Sequence, residues 1–136
     1  MQEDDHERGV LAFVASTKVN RYAEQLGQPR KRRKFVQKLA HFRDWDERWL
    51  QPIPGMEQTP DGIRGRLLKL GAPADCYVIS TNQKIDGRKR ALTEALDEVV
   101  GCGEGAVISC IPGRLLYYEG EEQGDRWILF KRDAKA

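Results

Sequence analysis

The stretch AVISCIPGRLLYY, residues Ala106–Tyr118, decides the fold of this 136-residue chain. Its first half, Ala106–Ile111, is almost wholly apolar and rich in β-branched residues, and a second apolar run follows at Leu115–Tyr118. Pro112-Gly113 separates the two runs. Because proline presets φ and glycine accepts a positive φ, the pair predicts a tight turn and the stretch predicts a β-hairpin. The first strand is apolar on both faces, which is typical of a strand in the middle of a covered sheet.

Apolar periodicity on either side of the hairpin predicts further strands and helices. Predicted strands are Cys76–Ser80 and Arg126–Lys131, with a small ribbon at Lys84–Leu92. Predicted helices run from Ser16 or Thr17 to Leu26, over Arg30–Asp44, from Thr59 to Gly71, and over Leu92–Val100. We therefore predict an α+β fold in which N-terminal helices precede a small, mostly antiparallel sheet. The C-terminal half has the order β-α-β-β-β, with helices on both faces of the sheet.

Length and composition indicate one globular domain over residues 1–136. Residues 1–8 are acidic and polar and are predicted to be a disordered lead, whereas Val10–Val14 fits a strand or a helical turn equally well. We expect no signal peptide, because the first nine residues have no basic start and no apolar run, and no membrane span, because no apolar run approaches the roughly 20 residues that one needs. Three cysteines without close spacing favour a reducing compartment. We therefore expect a soluble cytoplasmic protein that does not contact a membrane.

The strongest functional signal is the run Arg30-Lys31-Arg32-Arg33-Lys34 at the start of a predicted helix. Five adjacent cations repel one another and oppose the helix dipole, which favours anions at this end. Such a run indicates a polyanionic partner or pairing with acids elsewhere in the chain, because the net charge is only +2. The predicted nucleic-acid-binding residues are Arg30, Lys31, Arg33, Lys34 and His41, with Arg88-Lys89-Arg90 as a further contact.

From this signal we predict a non-enzymatic protein that associates with nucleic acid, RNA being favoured. About four phosphate contacts predict a slope near −3 to −4 for log affinity against log salt concentration. Bases are expected to stack on exposed aromatic residues, and the candidates are Trp45, Trp49 and Tyr118.

Two other hypotheses remain open at this stage. The chain is alternatively a small ribonuclease with His41 as the acid/base group, because an imidazole among cations suits phosphodiester chemistry. It is alternatively a protein-interaction module of antitoxin or immunity type, in which the basic helix and the acidic outer face of the Leu92–Val100 helix contact different partners.

One cysteine is a further candidate catalytic residue. Cys110 lies just before the hairpin turn, where His41 or Arg114 would activate it as a nucleophile. The favoured interpretation is a small apolar residue in a buried strand, where free cysteine usually lies. The three cysteines and His41 lack the close spacing of structural zinc sites, so we predict no metal and no cofactor.

Overall fold

The structure, a computed structural model, describes residues 3–122 and 124–132. It confirms the α+β fold, with helices that precede and cover an antiparallel sheet. The helices are α1 (Glu3–Val10), α2 (Val19–Leu26), α3 (Pro29–Lys38), α4 (Pro60–Lys69) and α5 (Leu92–Val99). The strands are β1 (Leu50–Pro52), β2 (Asp75–Ser80), β3 (Arg88–Ala91), β4 (Ala106–Ile111), β5 (Leu115–Glu119) and β6 (Arg126–Phe130). Their order across the sheet is β1-β6-β5-β4-β2-β3, and all neighbouring pairs are antiparallel.

The predicted hairpin is formed by β4 and β5, and it occupies the middle of the sheet. Ile108 of β4 pairs with Tyr117 of β5 on one side and with Val78 of β2 on the other. Gly113 in the connecting turn has a φ of 73°, the left-handed conformation that glycine accepts without strain. The two apolar faces of β4 therefore each face a separate core.

Two hydrophobic clusters lie on opposite faces of the sheet. Ile108 belongs to the cluster that α4 and α5 cover, whereas its neighbour Val107 belongs to the cluster beneath the N-terminal helices. The alternation of side chains along a strand explains this division. Leu96 of α5 and Phe35 of α3 are fully buried in the two clusters, so helices cover both faces as predicted.

Helix α3 ends at Lys38, six residues before the end that the sequence predicts. A 3₁₀ turn follows over Leu39–His41, and the chain is extended at Phe42. The buried hydroxyl of Tyr118 explains the change of direction, because it donates to the Leu39 carbonyl at 2.5 Å and accepts from the Phe42 amide at 3.2 Å. Tyr118 of β5 thus makes hydrogen bonds with backbone groups that a further turn of α3 would otherwise pair.

Residues 3–8, for which the sequence predicts a disordered lead, lie in α1 in the structure; residues 1 and 2 lie outside the described part of the chain. Helix α1 packs closely on the hairpin turn, since a Cβ on Gly9 would lie 2.4 Å from the Gly113 amide nitrogen. A 3₁₀ turn over Leu11–Phe13 follows, and Val14 makes an isolated bridge with Trp45. Within residues 3–122 and 124–132, no helix has the length and apolar character needed to cross a membrane.

Two glycines in α4 provide a matched test of its packing. A Cβ on Gly65 would meet no atom within 4 Å, so Gly65→Ala is expected to stabilise the fold by about 0.5–1 kcal/mol through helix propensity. A Cβ on Gly62 would lie 2.4 Å from the Glu57 carbonyl oxygen, so Gly62→Ala is expected to destabilise it by about 1–2 kcal/mol. Urea unfolding of both variants measures the difference. Changes of the same sign would contradict this packing of α4.

Candidate functional site: a basic groove beside α3

A groove of about 600 Å³ separates α3 from the loop that follows β2. Arg30, Arg33 and Gln37 line it from the helix, at positions that share one helical face. Thr81 and Gln83 line it from the loop. The groove therefore has guanidinium groups on one wall and neutral hydrogen-bonding side chains on both walls.

Arg32 joins the two walls and is not free to bind a ligand. Its guanidinium donates to the Asp86 carboxylate at 2.7 and 2.9 Å and to Glu7 of α1 at 3.0 Å. Asp86 also accepts from the Ser80 amide at 3.0 Å. The hydrogen bond to Asp86, ahead of the contacts with Glu7, raises the pKa of Arg32 above its usual range. We infer that Arg32 acts as a structural tie that fixes α1, α3 and the loop to one another.

The other cations of the run are exposed. Lys31 pairs with Glu24 at 2.5 Å on the open surface, where such a pair contributes little stability. Arg30, Arg33 and Lys34 make no ion pair with any carboxylate of the described residues. The one carboxylate among the described side chains lining the groove is Asp86, which Arg32 already neutralises. The groove is thus a concave surface with an excess of positive charge, which suits an anion.

His41 lies outside this groove. It follows α3 in the 3₁₀ turn, and its Nε2 atom lies 2.6 Å from a carboxylate oxygen of Glu121. The neighbouring Arg43 lies 3.2 Å from Asp125, and Glu122 is also close. The acidic turn between β5 and β6 therefore provides carboxylates beside the C-terminal end of α3. The structure does not bring His41 together with Arg30 and Arg33, although all three are predicted nucleic-acid-binding residues.

Two of the three candidate stacking residues, Trp45 and Tyr118, are buried and are therefore not available to stack on bases. Trp45 packs against Phe42 and Tyr118 in the aromatic core beneath the N-terminal helices, and Tyr118 is only 1% exposed. Trp49 is half-buried, with the cations of Arg48 and Lys131 over its ring at 4.9 and 4.8 Å.

The second basic run lies on the edge strand β3. Arg90 pairs with Glu94 and Glu98 of α5, and Lys89 lies 3.8 Å from Asp75. Two of its three cations therefore have acidic partners within the fold. Arg88 is exposed at the sheet edge, where a charged side chain discourages pairing with another strand.

The cysteines have the environment expected of structural residues. Cys110 is 2% exposed, and burial raises the pKa of its thiol. Burial also raises the pKa of the neighbouring Cys76 to about 12. In the structure neither thiol presents the accessible thiolate that an activated nucleophile needs. Among the described residues, no three His, Cys, Asp or Glu side chains form an arrangement that could hold a metal ion.

Thiol labelling tests whether Cys76 and Cys110 are buried and Cys102 is exposed. In the native protein at mildly alkaline pH, we expect Cys102, which is exposed, to react with iodoacetamide much faster than Cys76 and Cys110. Mass spectrometry of labelled peptides measures the three rates, and labelling in denaturant provides the reference. Native labelling of Cys110 as fast as in denaturant would show that it is an accessible thiol.

The sequence analysis missed a polar cluster that α1 forms with the sheet. His6 stacks on Tyr77 with ring centroids 5.4 Å apart, and its Nδ1 atom lies 2.8 Å from the Ser109 hydroxyl. The Tyr77 hydroxyl donates to Glu7, the partner of Arg32. Burial is the main cause that lowers the pKa of His6. The only sequence pattern that indicates packing of this segment on the sheet is the helical spacing of His6 and Val10 within a polar stretch.

Comparisons with protein-family models, with curated proteins and with solved structures find no match to this chain. The geometry and charge of the groove are therefore the features that bear on function. These favour the binding of an anion through Arg30 and Arg33, with polar contacts from Gln37, Thr81 and Gln83.

Proposed function

We propose that this protein binds nucleic acid, RNA being favoured, through the groove beside α3, and that it does so without catalysis. The observation that carries the proposal is the placement of Arg30 and Arg33 on a concave surface where Arg32 already holds the carboxylate of Asp86. A cytoplasmic location and an additional protein partner stay predictions.

Phosphate is the anion that this wall suits best. A guanidinium group presents a planar fork that binds phosphate oxygens in pairs, and the exposed Lys34, four residues after Arg30, adds a point charge outside the lining of the groove. Hydroxyl and amide side chains such as Thr81 and Gln83 are common donors to phosphate and sugar oxygens. No histidine or cysteine is among the described side chains that line the groove, so the proposal is binding rather than cleavage.

The three unpaired cations predict how binding depends on salt. Three phosphate contacts give a slope of about −2 to −3 for log affinity against log salt concentration, because each neutralised phosphate releases condensed counterions. This slope is shallower than four contacts would give, since Arg32 is held by Glu7 and Asp86 and Lys31 by Glu24.

A triple substitution of Arg30, Arg33 and Lys34 by glutamine tests the proposal. Affinity for a short single-stranded RNA is expected to fall, and the salt slope is expected to lose about two to three units. Fluorescence anisotropy over a salt series measures both quantities. The fold is expected to survive because the three side chains are exposed.

Helix α4 offers a matched control on the opposite face of the sheet. Like α3 it has ten residues, begins with proline and carries three nearby cations, Arg64, Arg66 and Lys69, of which Arg66 pairs with Glu57 at 2.7 Å. Replacing these three by glutamine removes the same charge and is expected to leave most of the salt slope. Equal loss in both triple variants would show that net charge, and not the groove, determines binding. His41→Ala is expected to keep affinity within about twofold, since His41 lies outside the groove.

A further inference from the structure

We infer that the groove takes one unpaired nucleotide of an RNA strand, with its phosphates on Arg30 and Arg33 and its base edge on the amides of Gln37 and Gln83. This inference rests on the proposed function and adds the class of substrate, single-stranded rather than double-stranded. It also predicts that the protein distinguishes between bases.

The shape of the groove favours a single strand. Its volume of about 600 Å³ lies within the range of about 300–1,000 Å³ that is usual for ligand sites. A duplex presents its phosphates on a convex surface and keeps its bases stacked inside, so no base reaches a recess between a helix and a loop. An unpaired nucleotide enters such a recess without the cost of unstacking a helix.

The placement of side chains favours contact with a base edge. Gln37 follows Arg33 by four residues, so the two side chains lie on the same face of α3, one turn apart. Gln83 lies on the opposite wall. A carboxamide offers a donor and an acceptor together, which is the pattern that pairs with the edge of a base. With Trp45 and Tyr118 buried, this hydrogen bonding takes the place of aromatic stacking as the means of base recognition.

The walls of the groove are held in place by hydrogen bonds and by one buried side chain. Asp86 binds Arg32 from one wall and the Ser80 amide from the other. Ile85, only 4% exposed, anchors the loop in the core under α5, and the Asn82 side chain accepts from the Lys84 amide at 3.0 Å. Rigid walls reduce the entropy lost on binding and fix the backbone positions that carry Gln37 and Gln83.

The test compares RNA shape and base composition. Labelled single-stranded homo-oligomers of the four bases and a duplex of equal length are titrated into the wild-type protein. The preferred single strand is expected to bind about tenfold more tightly than the poorest one, and the duplex is expected to bind weakly. In the Gln37→Ala/Gln83→Ala variant this preference is expected to fall below about threefold with an unchanged salt slope. Gln51→Ala, at the exposed edge strand β1, serves as the control and is expected to keep the preference.

The outcomes separate this inference from the proposed function. Equal binding of duplex and single strand overturns the inference while the salt-dependent binding stands. An intact preference among the four bases in the Gln37→Ala/Gln83→Ala variant does the same. Absence of salt-dependent binding to every oligomer overturns the proposed function and the inference together.

Discussion

Replacing Leu96 with alanine is expected to lower the free energy of unfolding by about 2–5 kcal/mol. Leu96 lies on the inner face of α5, is 1% exposed and belongs to the cluster that contains Val78 and Ile108. The truncated side chain would leave a cavity, because neighbours held by the sheet cannot close over it. Urea unfolding measures the loss.

Leu68 on α4 is the matched control for this substitution. It is 47% exposed, so Leu68→Ala is expected to change stability by less than about 0.5 kcal/mol. A similarly small change for Leu96→Ala would show that α5 does not form part of the core, and the assignment of the Ala106–Tyr118 hairpin to the middle of a covered sheet would then fail on that face.

Gly105→Ala is expected to destabilise the fold by about 2–3 kcal/mol. A Cβ at this position would lie 2.2 Å from the Ala40 nitrogen and 2.4 Å from the Leu39 carbonyl carbon, both backbone atoms. Gly105 cannot easily move away, because its carbonyl accepts from the Thr81 amide at 3.1 Å. The substitution therefore forces the sheet apart from the turn that ends α3.

Gly55→Ala is the control, since a Cβ on Gly55 would meet no atom within 4 Å. Thermal and urea unfolding of the two variants measure the difference in stability. A loss below about 0.5 kcal/mol for Gly105→Ala would contradict the close approach of β4 to the end of α3. Since Thr81 also lines the groove, Gly105→Ala is further expected to weaken RNA binding.

The elements that depend on local pattern could be predicted from the sequence, and those that depend on distant contacts could not. The β4–β5 hairpin follows from two apolar runs and a Pro-Gly turn, and the α3 start follows from Pro29. The end of α3 depends on the hydroxyl of Tyr118, which lies 79 residues beyond the carbonyl that it binds. No pattern within residues 30–44 contains that information.

In the groove too, local pattern predicts some features, and others depend on contacts between residues distant in sequence. Helical projection places Arg30, Arg33 and Lys34 on the exposed face, and the structure has them exposed. The partners of Arg32 lie 25 and 54 residues away, so the sequence does not show that this arginine is committed to the fold. The second wall was missed because Thr81 and Gln83 form part of the site only when the loop after β2 packs beside α3.

The salt dependence of RNA binding by the unmodified protein shows whether Arg30, Arg33 and Lys34 contact phosphate. Binding of a short single-stranded RNA, measured between about 50 and 200 mM salt, gives the slope of log affinity against log salt concentration. Arg30 and Arg33 in the groove, together with the exposed Lys34 outside its lining, predict measurable binding at the low end and a slope of about −2 to −3. No binding at the lowest salt, or a slope near zero, would contradict the claim that Arg30, Arg33 and Lys34 contact phosphate.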